Sequence, residues 1–270
     1  MTETTSQPPM AWRYCGNQIK LWRTRANVTR QQLAKEANYG YDSVRSMEQG
    51  RRKPTLRLLE IADEMCGAHG LLLAAQDYLK PEKFREYARE FIEYEAEALT
   101  LNWYEPLLIP GLLQTEEYAR ALIGGNCPPL DDETVEVRVA ARLERQAVLD
   151  KPTRAFGFVI GEAALREQVG GREVHRRQMR RLIEVGERRH VCVQVMRFCR
   201  SFHPGLLGSF VLLETPDHEQ LAYIEGQETG MLLDDRAKVS VIRQRHDMIL
   251  QRALGPEESA CFIGELAEEL

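Results

Sequence analysis

Thr29-Arg-Gln-Gln-Leu-Ala-Lys-Glu-Ala-Asn38-Tyr-Gly40-Tyr-Asp-Ser-Val-Arg-Ser-Met-Glu-Gln-Gly50 has the pattern of a helix, a tight turn and a second helix. The Thr29 hydroxyl and the Gln32 side chain can satisfy two orphan amides reciprocally, a capping box that starts the first helix. Leu33, Ala34 and Ala37 follow at helical spacing on its inner face. Asn38-Tyr39-Gly40 makes the turn, because Asn and Gly both tolerate positive φ. The second helix, Tyr41–Gln49, turns Val44 and Met47 inward, and Gly50 is placed to end it. Such a pair lets the first helix cross a DNA backbone while the second lies in a major groove about 12 Å wide. Tyr41, Asp42, Arg45 and Ser46 occupy the side opposite Val44 and Met47, where side chains reach base edges. Arg45 suits guanine, whose O6 and N7 match a guanidinium fork, and Asp42 can accept from cytosine N4. Arg30, Ser43 and the run Arg51-Arg52-Lys53 are candidates for phosphate contact, which positions a protein without specifying sequence.

Helical spacing continues outward from this motif. Ile19, Trp22 and Ala26 share one face upstream, and Pro54-Thr55 opens a helix carrying Leu58, Leu59, Ala62 and Met65. Gly67 and Gly70 break it, and Leu71–Leu79 reads as a fifth helix. The spacing therefore predicts a five-helix, all-α domain over residues 13–80, preceded by a flexible tail, 1–12. After Pro81 the pattern changes to α+β over residues 81–270, a small sheet covered by helices. Strands are expected at 155–160, 191–196, 210–213 and 221–224. Helices are expected near 82–99, 115–123, 131–149, 173–187 and 234–253, with a last one from Pro256. Trp103 to Gly111, broken by Pro106 and Pro110, reads as an apolar loop.

Charge divides the chain in the same place. Residues 1–80 hold 12 basic and 8 acidic side chains, whereas residues 81–270 hold 24 and 33. Between Arg13 and Arg57 the imbalance is 11 to 3. A small basic module joined to a larger acidic one suggests a polyanion reader with a control body, residues 81–270 serving regulation and dimerisation. No uncharged apolar run approaches the length of a membrane span, and the polar start lacks a signal pattern. Cysteines scattered at 15, 66, 127, 192, 199 and 261 make no disulfide framework, so the expected home is the cytoplasm, at the nucleoid. Phosphate-cradling glycine loops, dinucleotide fingerprints and His-Glu-x-x-His are all missing from the sequence. No catalytic residue, cofactor or resident metal is expected, and an enzyme is the least favoured class.

Three further features have two readings each. The arginine-rich stretch Glu173–Arg200 is a second DNA or acidic-partner surface or, preferred, an exposed helix paired with the domain's own carboxylates. Cys192, Cys199 and His203 lack the spacing of a metal site, and Cys192 fits a buried structural cysteine better. Trp103 and Tyr104, with His203, are either core packing or the wall of a ligand or peptide groove.

Residues 13–75 resemble the Xre-type, phage-repressor-like helix-turn-helix domain through Thr29-Arg-Gln-Gln-Leu-Ala34, Val44, Met47, Glu48, Gly50-Arg-Arg52 and Pro54. The whole chain resembles actinobacterial regulators of the WhiJ type, described as antitoxin-like. The carrying runs are Trp103-Tyr-Glu-Pro-Leu-Leu-Ile-Pro-Gly-Leu-Leu-Gln-Thr115, Arg138-Val-Ala-Ala-Arg-Leu-Glu-Arg-Gln146, Glu162-Ala-Ala-Leu165, His203-Pro-Gly205 and Pro256-Glu-Glu-Ser259. The resemblance implies a double-stranded-DNA-binding repressor or activator, often encoded beside a small partner protein. It also implies an internal salt bridge between Arg23 and Glu48. Asn38 stands where glycine is usual, and Gly40 replaces the usual Ser or Thr cap. Tyr41 and Asp42 are unusual at reading positions, so the family's DNA sites are not transferred. The function expected is a sequence-specific, homodimeric transcriptional regulator. The alternatives are an antitoxin-like module that sequesters a small partner and autoregulates, or a regulator sensing a small-molecule effector.

Overall fold

The computed structural model describes residues 9–79, 84–199, 201–227 and 229–270. The chain divides into two compact units, residues 1–81 and 82–270. Residues 1–8 of the expected tail and the expected junction at Pro81 lie outside the described residues.

The first unit holds α1 (Met10–Arg25), α2 (Arg30–Ala37), α3 (Tyr41–Glu48) and α4 (Leu56–Cys66), then a 3₁₀ segment, Leu73–Leu79. Two expectations are corrected here. Residues 10–12 are helical rather than tail, because Ala11 and Trp12 pack against the core and hold that turn. The fifth helix is 3₁₀, not α. Asp63 accepts the amides of Gly70, Leu72 and Leu73 at 2.7, 2.8 and 3.3 Å, which ties the chain into tight turns after the left-handed Gly67. Ile19, Leu33, Val44, Met47, Leu58 and Leu59 are fully buried together. Each such side chain contributes about 1.5–3 kcal/mol on burial. The crossing of α1 over α3 depends on Gly16: a Cβ there would run into the carbonyl oxygens of Met47 and Glu48.

The second unit is built on six strands: β1 (Thr100–Glu105), β2 (Ala155–Gly161), β3 (Val191–Met196), β4 (Phe210–Glu214), β5 (Gln220–Glu225) and β6 (Gly230–Leu233). Their order is β3-β2-β1-β4-β5-β6. β1, β2 and β3 run parallel, while β4, β5 and β6 alternate antiparallel from β1 outward. Its helices are α5 (Arg89–Glu97), α6 (Glu116–Gly124), α7 (Asp132–Arg145), α8 (Glu162–Arg166), α9 (Arg172–Gly186), α10 (Arg236–Leu250) and α11 (Pro256–Glu269). Alternation along each strand sends Phe156, Phe158, Val193 and Val195 to one face, against Met179 and Leu182 of α9 and Ile263 of α11. The other face sends Tyr104, Phe210 and Leu212 against Val239, Ile242 and Ile249 of α10. The unit is thus a mixed sheet with helices on both faces, an α+β domain.

β1 corrects the expectation of a loop from Trp103. The prolines stop the strand after Glu105, but before them β1 pairs on both sides, with β2 and β4. β6, at the sheet edge, has four residues and is not among the expected strands.

Candidate nucleic-acid interface

Local chemistry sets the turn between α2 and α3. Thr29 Oγ1 accepts from the Gln32 amide at 3.2 Å, and the Thr29 amide donates back to Gln32 Oε1 at 2.8 Å. Asn38 closes α2 in the left-handed region, φ 59° and ψ 44°, and its neighbour Tyr39 donates its amide to Ala34 O at 2.8 Å. Gly40 precedes α3 in extended conformation and offers no side-chain cap. Gly50, at φ 69°, ends the motif, and its backbone lies so close to Arg13 that a Cβ would collide.

Val44 and Met47 anchor α3 in the core, which leaves the opposite face outward. Tyr41 is 47% exposed; Asp42 and Arg45 are exposed, and Ser43 and Ser46 are half-buried. The expected base-reading set, Tyr41, Asp42, Arg45 and Ser46, therefore shares one accessible side of one short helix. Arg51 and Arg52 are exposed just beyond it and Lys53 is half-buried. Arg51 Nη2 donates to Gln49 Oε1.

Glu48 fixes the helix from beneath. Its side chain is wholly buried. Arg23 donates to it through Nε at 2.6 Å and Nη2 at 3.3 Å, and spends Nη1 on Val28 O at 2.8 Å. Arg30 donates a third bond, Nε to Glu48 Oε2, at 2.8 Å. One buried carboxylate thus ties α1, α2 and α3 together, and removing it would strand two guanidinium groups. Arg30, a candidate for phosphate contact, also has partners within the unit. It sits half-buried against Glu48, and its Nη1 donates to Tyr41 Oη at 2.8 Å, with the guanidinium carbon 5.2 Å from that ring's centre. A side chain expected on phosphate is thus also bonded to Tyr41, one of the residues expected to reach bases. Capping-box logic located Arg30 on the helix but carried no information about a partner eleven residues away.

The second unit separates a trio that the sequence grouped. Trp103 and Tyr104 are successive on β1 and so point to opposite faces. Trp103 meets Phe91 edge-on, ring centres 6.0 Å apart, and lines a cavity of about 680 Å³. Tyr104 is buried on the α10 face, where its hydroxyl and His203 Nδ1 hem in Gly205. Trp103, Tyr104 and His203 therefore do not form one groove. His203 is 6% exposed, its Nδ1 has no partner among the described residues, and burial followed by the Arg252 charge lowers its pKa. Cys192 is half-buried rather than fully so, its thiol pKa raised by burial, and Cys199 is exposed. Among the described residues no three His, Cys, Asp or Glu side chains converge as a metal-binding group. On α9, Arg176 pairs with Glu173 at 2.8 Å and Arg177 with Glu117 at 3.5 Å, so part of the arginine-rich stretch is met by the unit's own acids.

The cavity beside Trp103 brings together residues that sequence reasoning missed as a site: Arg138, Arg142 and Arg145 of α7, with Glu105 and Glu225. A signal was present. Three arginines at i, i+4 and i+7 occupy a helical stripe that apolar residues ordinarily fill.

Among the described residues, no helix is long and apolar enough to cross a membrane. Residues 16–76 match a helix-turn-helix domain, and residues 88–265 match a domain of unknown function, DUF5753. No curated protein and no solved structure matches the chain. A helix-turn-helix domain of this kind is a DNA-binding module. With about two thirds of its length matched, the chain belongs to the DUF5753 family, and it carries its helix-turn-helix domain on the N-terminal side.

Proposed function

We propose that the protein is a sequence-specific transcriptional regulator of the WhiJ-like, antitoxin-like kind, that it acts as a homodimer, and that residues 82–270 receive its signal. The observation that carries this reading is the outward face of α3, with Tyr41, Asp42 and Arg45 exposed over a helix clamped through Glu48. Tyr41, Asp42, Arg45 and Ser46 contact bases. Ser43, Arg51, Arg52 and Lys53 contact phosphates, and Arg30 positions Tyr41. One eight-residue helix reads few base pairs, so two copies on half-sites about 34 Å apart supply the specificity. The reading includes no catalytic step. Binding to a set of chromosomal fragments tests it: a subset binds preferentially, and Arg45→Ala removes that preference. Equal affinity for every fragment rejects it.

A second reading, capture of a small partner protein with DNA binding as autoregulation, is favoured by one feature. Phe198, Phe202, Leu206 and Leu207 are 67, 69, 66 and 62% exposed around the approach to β4. Large apolar side chains clustered this way mark protein-binding surfaces. Light scattering on a mixture with the product of any small gene encoded beside it, before and after Phe202→Ser with Leu206→Ser, tests this reading. An unchanged mass in both samples counts against it.

A further inference from the structure

The cavity beside Trp103 lies at the carboxyl ends of β1 and β5, where the chain leaves the sheet through residues 105–111 and 225–227. Its volume, about 680 Å³, is that of an ordinary small-molecule site. Phe91, Ile92, Trp103 and Leu122 give it apolar walls. Another wall is the arginine stripe of α7, and there the charges do not balance.

Arg145 is neutralised: Nε and Nη2 each meet an oxygen of Glu95 at 2.8 Å. Arg142 is not. Its Nη1 donates to Gln114 Oε1 at 2.8 Å, a neutral acceptor. Arg138 Nε is buried with no partner. Among the described residues neither Arg138 nor Arg142 has a carboxylate in salt-bridge range. Burial, then the Arg145 charge, lowers the Arg142 pKa to about 10 while the Glu225 and Glu95 charges pull the other way, so the guanidinium stays charged at neutral pH without a carboxylate in salt-bridge range. The carboxyls that share the cavity give partial relief. Burial pushes Glu105 up to about 7 and also raises Glu225, while Arg85 at the rim donates to Gln227 O and Asn126 Oδ1. A cation buried without an anion is costly unless something supplies one.

We propose that this cavity is a receptor site for a small organic anion, a carboxylate, sulfonate or phosphate head on an apolar body. The head seats on Arg138 and Arg142, and the body lies against Trp103, Phe91 and Leu122. The proposal deepens the signal-receiving role above and rests on it only for the word signal. Occupancy is measured without DNA, so failure of DNA binding and failure of this site are distinguishable.

The probes are anilinonaphthalenesulfonate, an aromatic anion, and phenylnaphthylamine, its uncharged counterpart, titrated into the full-length protein and followed by fluorescence. The anion is expected to saturate a single site and to bind at least about tenfold more tightly than the neutral probe. Arg142→Gln should weaken the anion by about tenfold and leave the neutral probe within about twofold. Arg138→Gln should act in the same direction, and it carries the test if the Arg142 variant fails to fold. Equal binding of the two probes overturns the proposal, as does anion binding that survives both arginine substitutions. Loss of the anion on Phe202→Ser with Leu206→Ser alone assigns the dye to the exposed loop and also overturns it.

Discussion

Each unit of the chain buries a group of arginines, and the two groups are finished differently. Arg23 and Arg30 in the first unit close on Glu48, whose side chain is wholly shielded. Arg138 and Arg142 in the second face a cavity and have no carboxylate partner among the described residues. The first arrangement satisfies itself, so its energy goes into holding three helices in register. The second is left positive, so its energy is available to an incoming anion. A buried guanidinium with its carboxylate acts as scaffold, and one without it acts as a receiver.

The contrast is broken most severely at the scaffold. Glu48→Gln leaves two guanidinium groups without their anion, and the first unit should lose about 3–5 kcal/mol. Trp12 and Trp22 belong to that unit and Trp103 to the other, so fluorescence in a Trp103→Phe background reports the early unfolding of the first unit alone. Arg45→Ala should leave both units' melting unchanged and cost about 1–3 kcal/mol of discrimination between preferred and random fragments, read by competition binding. Arg51→Ala should instead weaken all fragments alike and lower the slope of log affinity against log salt by about 1.

The receiver is probed by pH. Glu105 is pushed up to about 7 by burial, with the Leu107 and Leu108 amides and the Trp103 side chain pulling back and Glu225 pushing further. A carboxyl raised in the folded state gives stability that is full below its ordinary range, near 4.5, and is lost as pH rises through about 7. Thermal melts of the wild type should therefore fall across that window. Glu105→Gln should remove the fall and be the more stable at pH 8, by about 1–2 kcal/mol. The smallest effect is expected at Arg142→Met. Replacing a cation that has only a neutral partner, Gln114, by an apolar side chain of similar reach should change the melting of the second unit by less than about 1 kcal/mol, or stabilise it. A loss as large as that of Glu48→Gln would erase the distinction between the two groups.

The first unit was largely legible because its signals are local. The Thr29 capping box, Asn38 in the left-handed region and Gly50 after α3 each act within a few residues. What was lost there was non-local: the bond from Arg30 to Tyr41, and the Asp63 clamp that makes the last segment 3₁₀. The second unit is legible where apolar residues run or alternate without a break, as in β2, β3, β4 and β5. β1 was hidden because Asn102 and Glu105 interrupt its pattern and prolines follow at once, while its pairing partners lie more than fifty residues downstream. The α7 stripe was in view as a run of residues, yet its charge is informative only once Glu95 is known to reach Arg145 and not Arg142.

The bond from Arg30 to the Tyr41 hydroxyl couples two properties that a regulator would otherwise adjust separately. A lineage that exchanges Tyr41 frees Arg30 Nη1 at the start of α2, while the bond to Glu48 still holds the rest of the guanidinium. One freed donor at position 30 would then accompany any change of side chain at position 41. Positions 30 and 41 would therefore be expected to change together rather than one at a time.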